Sequence, residues 1–267
     1  MNEQYELISI ITVSKNAEAT ISKTIESIIA QTYKNFESVF IDGASNDNTN
    51  AIIDSFKEIY DGKNIGFTHV SEKDDGIYYA MNKGIRKAHG KWVIFLNAND
   101  CFYNSRVLEN VFANREYDGN IKCIYGDSVN KLDDSCFIRK ALPMETIFYR
   151  VPFMHQSLFA QKDILEKYFF NTELSIIAEY DQFLRMYLDD IRFEHIDEII
   201  SVFDLDGVSQ KKNVEIAMGH EKLLKKYGVA EKYRLRRWLR NSFVIVLKSN
   251  PIFYKAYICL KRAKTLF

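Results

Sequence analysis

Lys91-Trp92-Val93-Ile94-Phe95-Leu96-Asn97-Ala98-Asn99-Asp100 decides the fold, because an unbroken apolar run ends there in a small polar cluster. Val, Ile and Phe without alternation suit a strand buried on both faces, and such strands belong to parallel sheets covered by helices. The pattern recurs upstream: Leu7 to Val13 is a β-rich run, Phe36 to Ile41 is a second that closes on Asp42, and Ile65 to Val70 is a third. Between them, Ile21, Ile25, Ile28 and Ile29 share one helical face. Asn46, Asp47 and Asn48 offer N-caps to a helix carrying Ile52, Ile53 and Phe56, and a third helix is expected from Ile77 to Ala88. This βαβαβαβ order implies an α/β fold with a mostly parallel central sheet and flanking helices.

Ligands collect at the carboxyl ends of such strands. Three polar clusters fall there: Asp42-Gly43-Ala44-Ser45, Glu72 to Gly76, and Asn97 to Asp100. Further along, a helix is expected after Arg106 and strands at Cys123 to Tyr125, around Phe137, and from Phe153 to Phe159. A helix over Tyr180 to Leu188 and two strands, Arg192 to Ile196 and Ile199 to Phe203, complete a body that ends near residue 210.

The 36 Lys plus Arg balance 36 Asp plus Glu, which by itself argues against a nucleic-acid binder. The balance is a sum of two unlike parts. From Lys222 to Phe267 there are 13 Lys or Arg against one acid, Glu231, a net +12, so the remaining residues carry −12. A basic tail on an acidic body points to an anionic partner for the tail. The four cysteines are scattered without a CxxC pair, as reduced thiols in the cytosol would be. No apolar run approaches the roughly 20 residues of a membrane-spanning helix.

The clusters suggest their own chemistry. Asp100 at the mouth of the sheet can offer a carboxylate to a hard divalent cation, or simply cap the helix that follows. Asp42, beside Gly43, can accept from a nucleobase or ribose; Gly43 lets a ligand approach closely, although the same string is ordinary turn chemistry. In Ser71-Glu72-Lys73-Asp74-Asp75-Gly76-Ile77-Tyr78-Tyr79-Ala80-Met81-Asn82-Lys83-Gly84-Ile85, a loop acid can hold ribose while Lys83 meets phosphate; the alternative is a solvated loop and a surface lysine.

Together with Ile8-Ser9-Ile10-Ile11-Thr12-Val13, these stretches resemble the family 2 glycosyltransferases, above all members that build capsular polysaccharide, O-antigen or colanic acid. The resemblance runs from residue 7 to about 210. It implies a GT-A nucleotide-sugar-binding fold, inversion at the anomeric carbon, and a Mn2+ or Mg2+ ion with a nucleotide-sugar donor, UDP-linked. On it, Thr12, Asp42, Asp74, Gly76, Lys83, Asn97, Asn99 and His155 are implied donor contacts, with Asp100 and His155 at the metal. Asn97 stands where the wider family has Asp, and Asn99 where many relatives have Gly. Glu179 is the implied base, with Asp181 as the alternative; a sugar hydroxyl is a poor nucleophile until a carboxylate takes its proton. The donor half is expected in about residues 1–105, the acceptor half in about 106–210, and Gly207-Val208-Ser209 resembles a family loop.

Residues 211–267 form a helical, basic, amphipathic extension. Leu235, Trp238, Leu239 and Ser242 share one face and arginines the other, which suits an in-plane helix on anionic lipid. The expected partners are therefore a lipid-linked acceptor of the undecaprenyl-diphosphate type and the membrane surface, with the protein peripheral on the cytoplasmic face. A hairpin packed on the body or on a second copy in a homodimer is the alternative. Two other functions compete: a non-catalytic nucleotide-sugar-binding subunit, and a nucleotidyltransferase, which would want a Gly-rich phosphate loop where Ser14-Lys15-Asn16-Ala17-Glu18 stands.

Overall fold

The computed structural model describes residues 6–132, 135–204, 213–229, 233 and 235. The elements run β1 (Ile8–Ser14), α1 (Ile21–Ile29), β2 (Phe36–Asp42), α2 (Thr49–Ser55), α3 (Lys57–Gly62), β3 (Gly66–Ser71), α4 (Ile77–Lys87), β4 (Trp92–Phe95) and β5 (Cys101–Phe102). They continue with β6 (Ile121–Leu132), β7 (Ser135–Arg139), β8 (Leu158–Gln161), α5 (Lys162–Lys167), α6 (Ala178–Leu188), β9 (Arg192–Asp204) and α7 (Asn213–Lys226).

One sheet holds all the strands in the order β3, β2, β1, β4, β8, β6, β9, β5, with β7 also paired to β6. The expected parallel order holds from β3 through β4. Beyond it the sheet is mixed, since β8 is antiparallel to both β4 and β6, while β6 and β9 are parallel.

Strand residues alternate between two cores. Ile8, Ile10, Phe40 and Ile94 pack with α1 through Ile21, Ile25 and Ile28. Ile11, Val39, Val93 and Phe95 pack on the other face with Met81 and Ile85 of α4 and with Phe183 of α6. The three α1 isoleucines are 0% exposed, so each contributes about 1.5–3 kcal/mol of burial.

Three expectations need correction. The strand expected over Phe153 to Phe159 begins only at Leu158, because His155–Ser157 forms a 3-10 turn closed by Ser157 N–H on the Met154 carbonyl. The helix expected after Arg106 is present but short, two α-helical residues at 107–108 running into the π-helical Glu109–Ala113. The two strands expected at 192–196 and 199–203 are one, β9, whose pairing with β6 steps from Tyr125–His195 to Asp127–Ile199. Three β9 residues thus face the single Gly126, where a Cβ would stand 2.5 Å from the Glu198 carbonyl oxygen. A bulge absorbs what reads in the sequence as a break.

Of the tail, residues 213–229, Tyr233 and Leu235 are described. The loop at 207–209 and the face carrying Trp238, Leu239 and Ser242 lie outside the described residues.

Candidate active site

The chain after β1, β2 and β4 enters the left-handed region at non-glycine residues: Asn16, Ala44 and Asn99 have φ of 50°, 55° and 86°. Strain of this kind gathers at functional edges. It also explains Asn99, since asparagine is among the side chains that best tolerate a conformation otherwise left to glycine.

Asp42 closes β2 and is 0% exposed. Its two oxygens accept five hydrogen bonds, from Ser14 Oγ (3.1 Å), Ser45 N–H (2.8 Å), Ser45 Oγ, Asn50 Nδ2 (3.1 Å) and Ser71 Oγ (2.9 Å). Burial pushes its carboxyl up, but the bonds from Ser45, Ser71 and Asn50 outweigh burial and hold it below the usual range. A base or ribose contact through this carboxylate would have to displace one of these donors.

Asp74 lies in the loop before α4, its side chain 9% exposed. Lys83 Nζ is 2.6 Å from Asp74 Oδ1 and 2.6 Å from Glu72 Oε1, so the lysine expected to meet phosphate is held by the loop acids. Gly76 starts α4 with φ of 145°, a backbone that L side chains rarely adopt. Thr12 is buried in β1, and its Oγ1 has no hydrogen-bond partner among the described residues.

Asn97 and Asp100 leave the end of β4, and the 3-10 turn at His155–Ser157 packs beside them. Asn97 Nδ2 lies 3.2 Å from His155 Nε2, and Gln156 Nε2 donates to Asp100 Oδ2 at 3.0 Å. Asp100 is 4% exposed. Asn97 Oδ1, Gln156 Oε1 and Asp74 Oδ2 are buried and without a hydrogen-bond partner among the described residues. Burial holds the His155 imidazole below its usual range, with Glu179 pulling the other way. Its neutral form keeps a lone pair for Asn97 or for a ligand.

Glu179 stands in the first turn of α6. Tyr78, the second residue of α4, donates its hydroxyl to Glu179 Oε2 in a short hydrogen bond. Glu179 Oε1 lies 3.7 Å from His155 Nδ1, and the side chain is 24% exposed. Burial, then Glu179 itself, pushes the Tyr78 phenol up, so it stays a neutral donor. The structure therefore links Asn97, His155, Glu179 and Tyr78 in one chain of contacts.

Asp181 is not part of this chain. It is 1% exposed, accepts from Arg185 Nε at 2.8 Å and from the Tyr227 hydroxyl at 2.7 Å, and so ties α6 to the end of α7. Asp181, two positions after Glu179, thus bonds toward α7 while Glu179 bonds toward α4. Tyr78 lay in the quoted stretch before Ile85, and Gln156 in the strand expected from Phe153 to Phe159, without being singled out; their roles come from contacts with residues far off in sequence.

No group of three or more His, Cys, Asp or Glu side chains converges for a metal among the described residues. The donors at the end of β4 still fit a hard cation in kind, since Asp100 offers a carboxylate while Asn97 and Gln156 offer buried amide oxygens lacking partners. A bound diphosphate would complete such a set.

This architecture is found in solved glycosyltransferases. S. aureus TarS 1-349 in complex with UDP-GlcNAc superposes with a TM-score of 0.65 at 16% identity, covering 86% of this chain and 69% of that one. The longer TarS structure is matched over 39% of its length. The mannosyltransferase PcManGT from Pyrobaculum calidifontis, in complex with GDP-Man and Mn2+, gives 0.63 at 15% identity, covering 99% and 88%. These likenesses establish a GT-A-like fold. In sequence, the PGL/p-HBAD biosynthesis glycosyltransferase Rv2957 of Mycobacterium tuberculosis is 27% identical over 68% of this chain and 70% of its own length. The putative teichuronic acid biosynthesis glycosyltransferase TuaG of Bacillus subtilis is 31% identical over 35% of this chain and 36% of its own. The sequence model of Glycosyl transferase family 2 matches residues 9–169, from β1 to the end of α5, and on that match the chain belongs to the family 2 glycosyltransferases.

Proposed function

We propose that this glycosyltransferase moves a sugar from a nucleotide-diphosphate donor, a UDP-hexose or UDP-N-acetylhexosamine, with inversion onto a lipid-linked glycan acceptor of the undecaprenyl-diphosphate type during surface polysaccharide assembly. The solved complexes with UDP-GlcNAc and GDP-Man support the donor class, and the PGL/p-HBAD and putative teichuronic acid biosynthesis roles in the relatives' names support the acceptor class. One observation carries the reading: Glu179 is fixed through Oε2 while Oε1 has no hydrogen bond among the described residues and stays close to the buried cluster at β4.

In the reaction, the acceptor hydroxyl oxygen attacks the anomeric carbon as the bond to the diphosphate breaks. The bonding pair leaves on the diphosphate oxygen and the hydroxyl proton passes to Glu179 Oε1. Asp100 and His155, with Asn97 and Gln156 beside them, would hold a Mn2+ or Mg2+ ion, which when bound neutralises charge on the leaving diphosphate. Thr12, Asp74, Gly76, Lys83 and Asn99 would frame the donor, with Asp42 stiffening the loop under it. Residues 211–267 would hold the catalytic body, residues 1–210, on anionic lipid at the cytoplasmic face; no helix among the described residues is long and apolar enough to cross a membrane.

The test is nucleotide release from a panel of UDP- and GDP-sugars with Mn2+, comparing the wild type with Glu179→Gln. Turnover by the wild type that is lost in the variant is expected; equal turnover in both refutes the base. The single acid at β4 favours a second reading, a non-catalytic nucleotide-sugar-binding subunit, which requires donor binding by thermal shift with no turnover of any donor and acceptor pair.

A further inference from the structure

We infer that Tyr78 is the positioning residue of the base, fixing Glu179 from the opposite half of the molecule and selecting Oε1 as the oxygen that takes the proton. The inference deepens the reading of Glu179 as base and rests on it.

Tyr78 and Glu179 lie 101 positions apart, on α4 and α6, and their contact is a hydroxyl-to-carboxylate hydrogen bond from a buried phenol to a carboxylate that keeps 24% of its side chain exposed. The phenol is itself held firmly. Its ring stacks on Phe170 at 5.6 Å between centroids and 25° between planes. Phe170 in turn is fixed by a two-way bond with Asn82 of α4, whose Nδ2 donates to the Phe170 carbonyl at 2.9 Å while the Phe170 N–H donates to Asn82 Oδ1 at 2.9 Å. A carboxylate side chain at a helix start has several rotamers open to it, and a bond from a locked partner removes that freedom. With Oε2 so engaged, Oε1 is left 3.7 Å from His155 Nδ1, the edge of the chain of contacts that reaches Asn97. The second consequence is coupling. Tyr78 follows Gly76 by two residues, so the loop carrying Asp74 and the orientation of the base share one short rigid segment, the start of α4.

The experiment is a double-substitution cycle on the full chain, with UDP release measured on whichever of UDP-glucose, UDP-galactose and UDP-N-acetylglucosamine the wild type turns over. Tyr78→Phe keeps the ring against Phe170 and removes only the hydroxyl. It is expected to lower kcat about 10- to 100-fold, the range of one hydrogen bond to a charged group, with donor KM within about twofold. In the Glu179→Gln background the same change is expected to do nothing further, because a group that acts through Glu179 has nothing left to position. An equal loss from Tyr78→Phe in both backgrounds, or a rise in donor KM that accounts for the whole effect, would overturn the positioning role. Full activity of Glu179→Gln would instead overturn the base itself, so the two failures are told apart. UDP binding by calorimetry, expected to be unchanged in Tyr78→Phe, separates both from misfolding.

Discussion

Where the chain leaves β2, Asp42 is fully buried and accepts five hydrogen bonds, whereas at the start of α6 Glu179 keeps 24% of its side chain exposed and has one oxygen engaged by Tyr78. Asp42 ends a strand of the sheet, and Glu179 starts a helix packed against it. A carboxylate with every oxygen satisfied has no capacity left for proton transfer, but it can hold three loops together: Asp42 joins the ends of β1, β2 and β3 through Ser14, Ser45 and Ser71. A carboxylate held by one oxygen keeps the other for chemistry. Hydrogen-bond saturation is therefore the difference between these two acids on which the proposed base rests.

The largest effect that could break this contrast is on turnover. Glu179→Gln is expected to cut transfer about 10²- to 10⁴-fold, the usual worth of a general base, while the unfolding free energy stays within about 0.5 kcal/mol. Denaturant unfolding beside initial rates checks both; a large stability loss would make Glu179 structural after all.

Asp42→Ala is expected to do the reverse, costing about 2–4 kcal/mol of stability because buried donors from Ser14, Ser45 and Ser71 lose their acceptor. The pH dependence has a definite sign. The folded carboxyl lies below its ordinary value, so its contribution is complete above the unfolded value of about 3.9 and is lost as pH falls toward the lower folded value. The gap in stability between wild type and Asp42→Asn should therefore shrink on acidification below about pH 4, measured by urea midpoints. A gap that widens with acid would contradict the network.

The two regions also differ in how far the sequence reveals them. β1, β2 and β4 are legible because each is a fully buried run, β3 is a half-exposed strand at the end of the sheet, and the polar clusters that follow them are legible by position. β5 is only Cys101–Phe102, too short to carry a pattern. β9 reads as two strands because its bulge places Asp197 and Glu198 in mid-strand, and local alternation cannot report which partner strand accommodates them. The contacts Tyr78–Glu179 and Gln156–Asp100 span 101 and 56 positions, and no periodicity encodes such pairs. The sequence thus names the acids, while tertiary packing decides which of them are saturated.

Gly126→Ala probes that packing directly. The added Cβ would meet the Glu198 carbonyl oxygen at 2.5 Å, a backbone atom that cannot swing aside. A loss of about 1–3 kcal/mol is expected, as for other overpacked sites. Thermal unfolding checks it; an unchanged midpoint would mean that the β6 and β9 register has slack.

The smallest expected effect tests the finest form of the contrast, between two acids on one helix. Asp181 and Glu179 are two residues apart at the start of α6, yet Asp181 is bonded to Arg185 and Tyr227 on the side facing α7. Burial, then Asp181, pushes the Tyr227 phenol up to about 12, so at neutral pH it remains a neutral donor and the bond is not lost to ionisation. Tyr227→Phe removes that one donor while Arg185 still neutralises the carboxylate, so the expected cost is about 1 kcal/mol, read from denaturant midpoints. Turnover should stay within about twofold, because the end of α7 touches the saturated acid and not the proposed base. A fall in kcat comparable to that of Glu179→Gln, with stability intact, would move the base to Asp181 and reverse the assignment of the two acids.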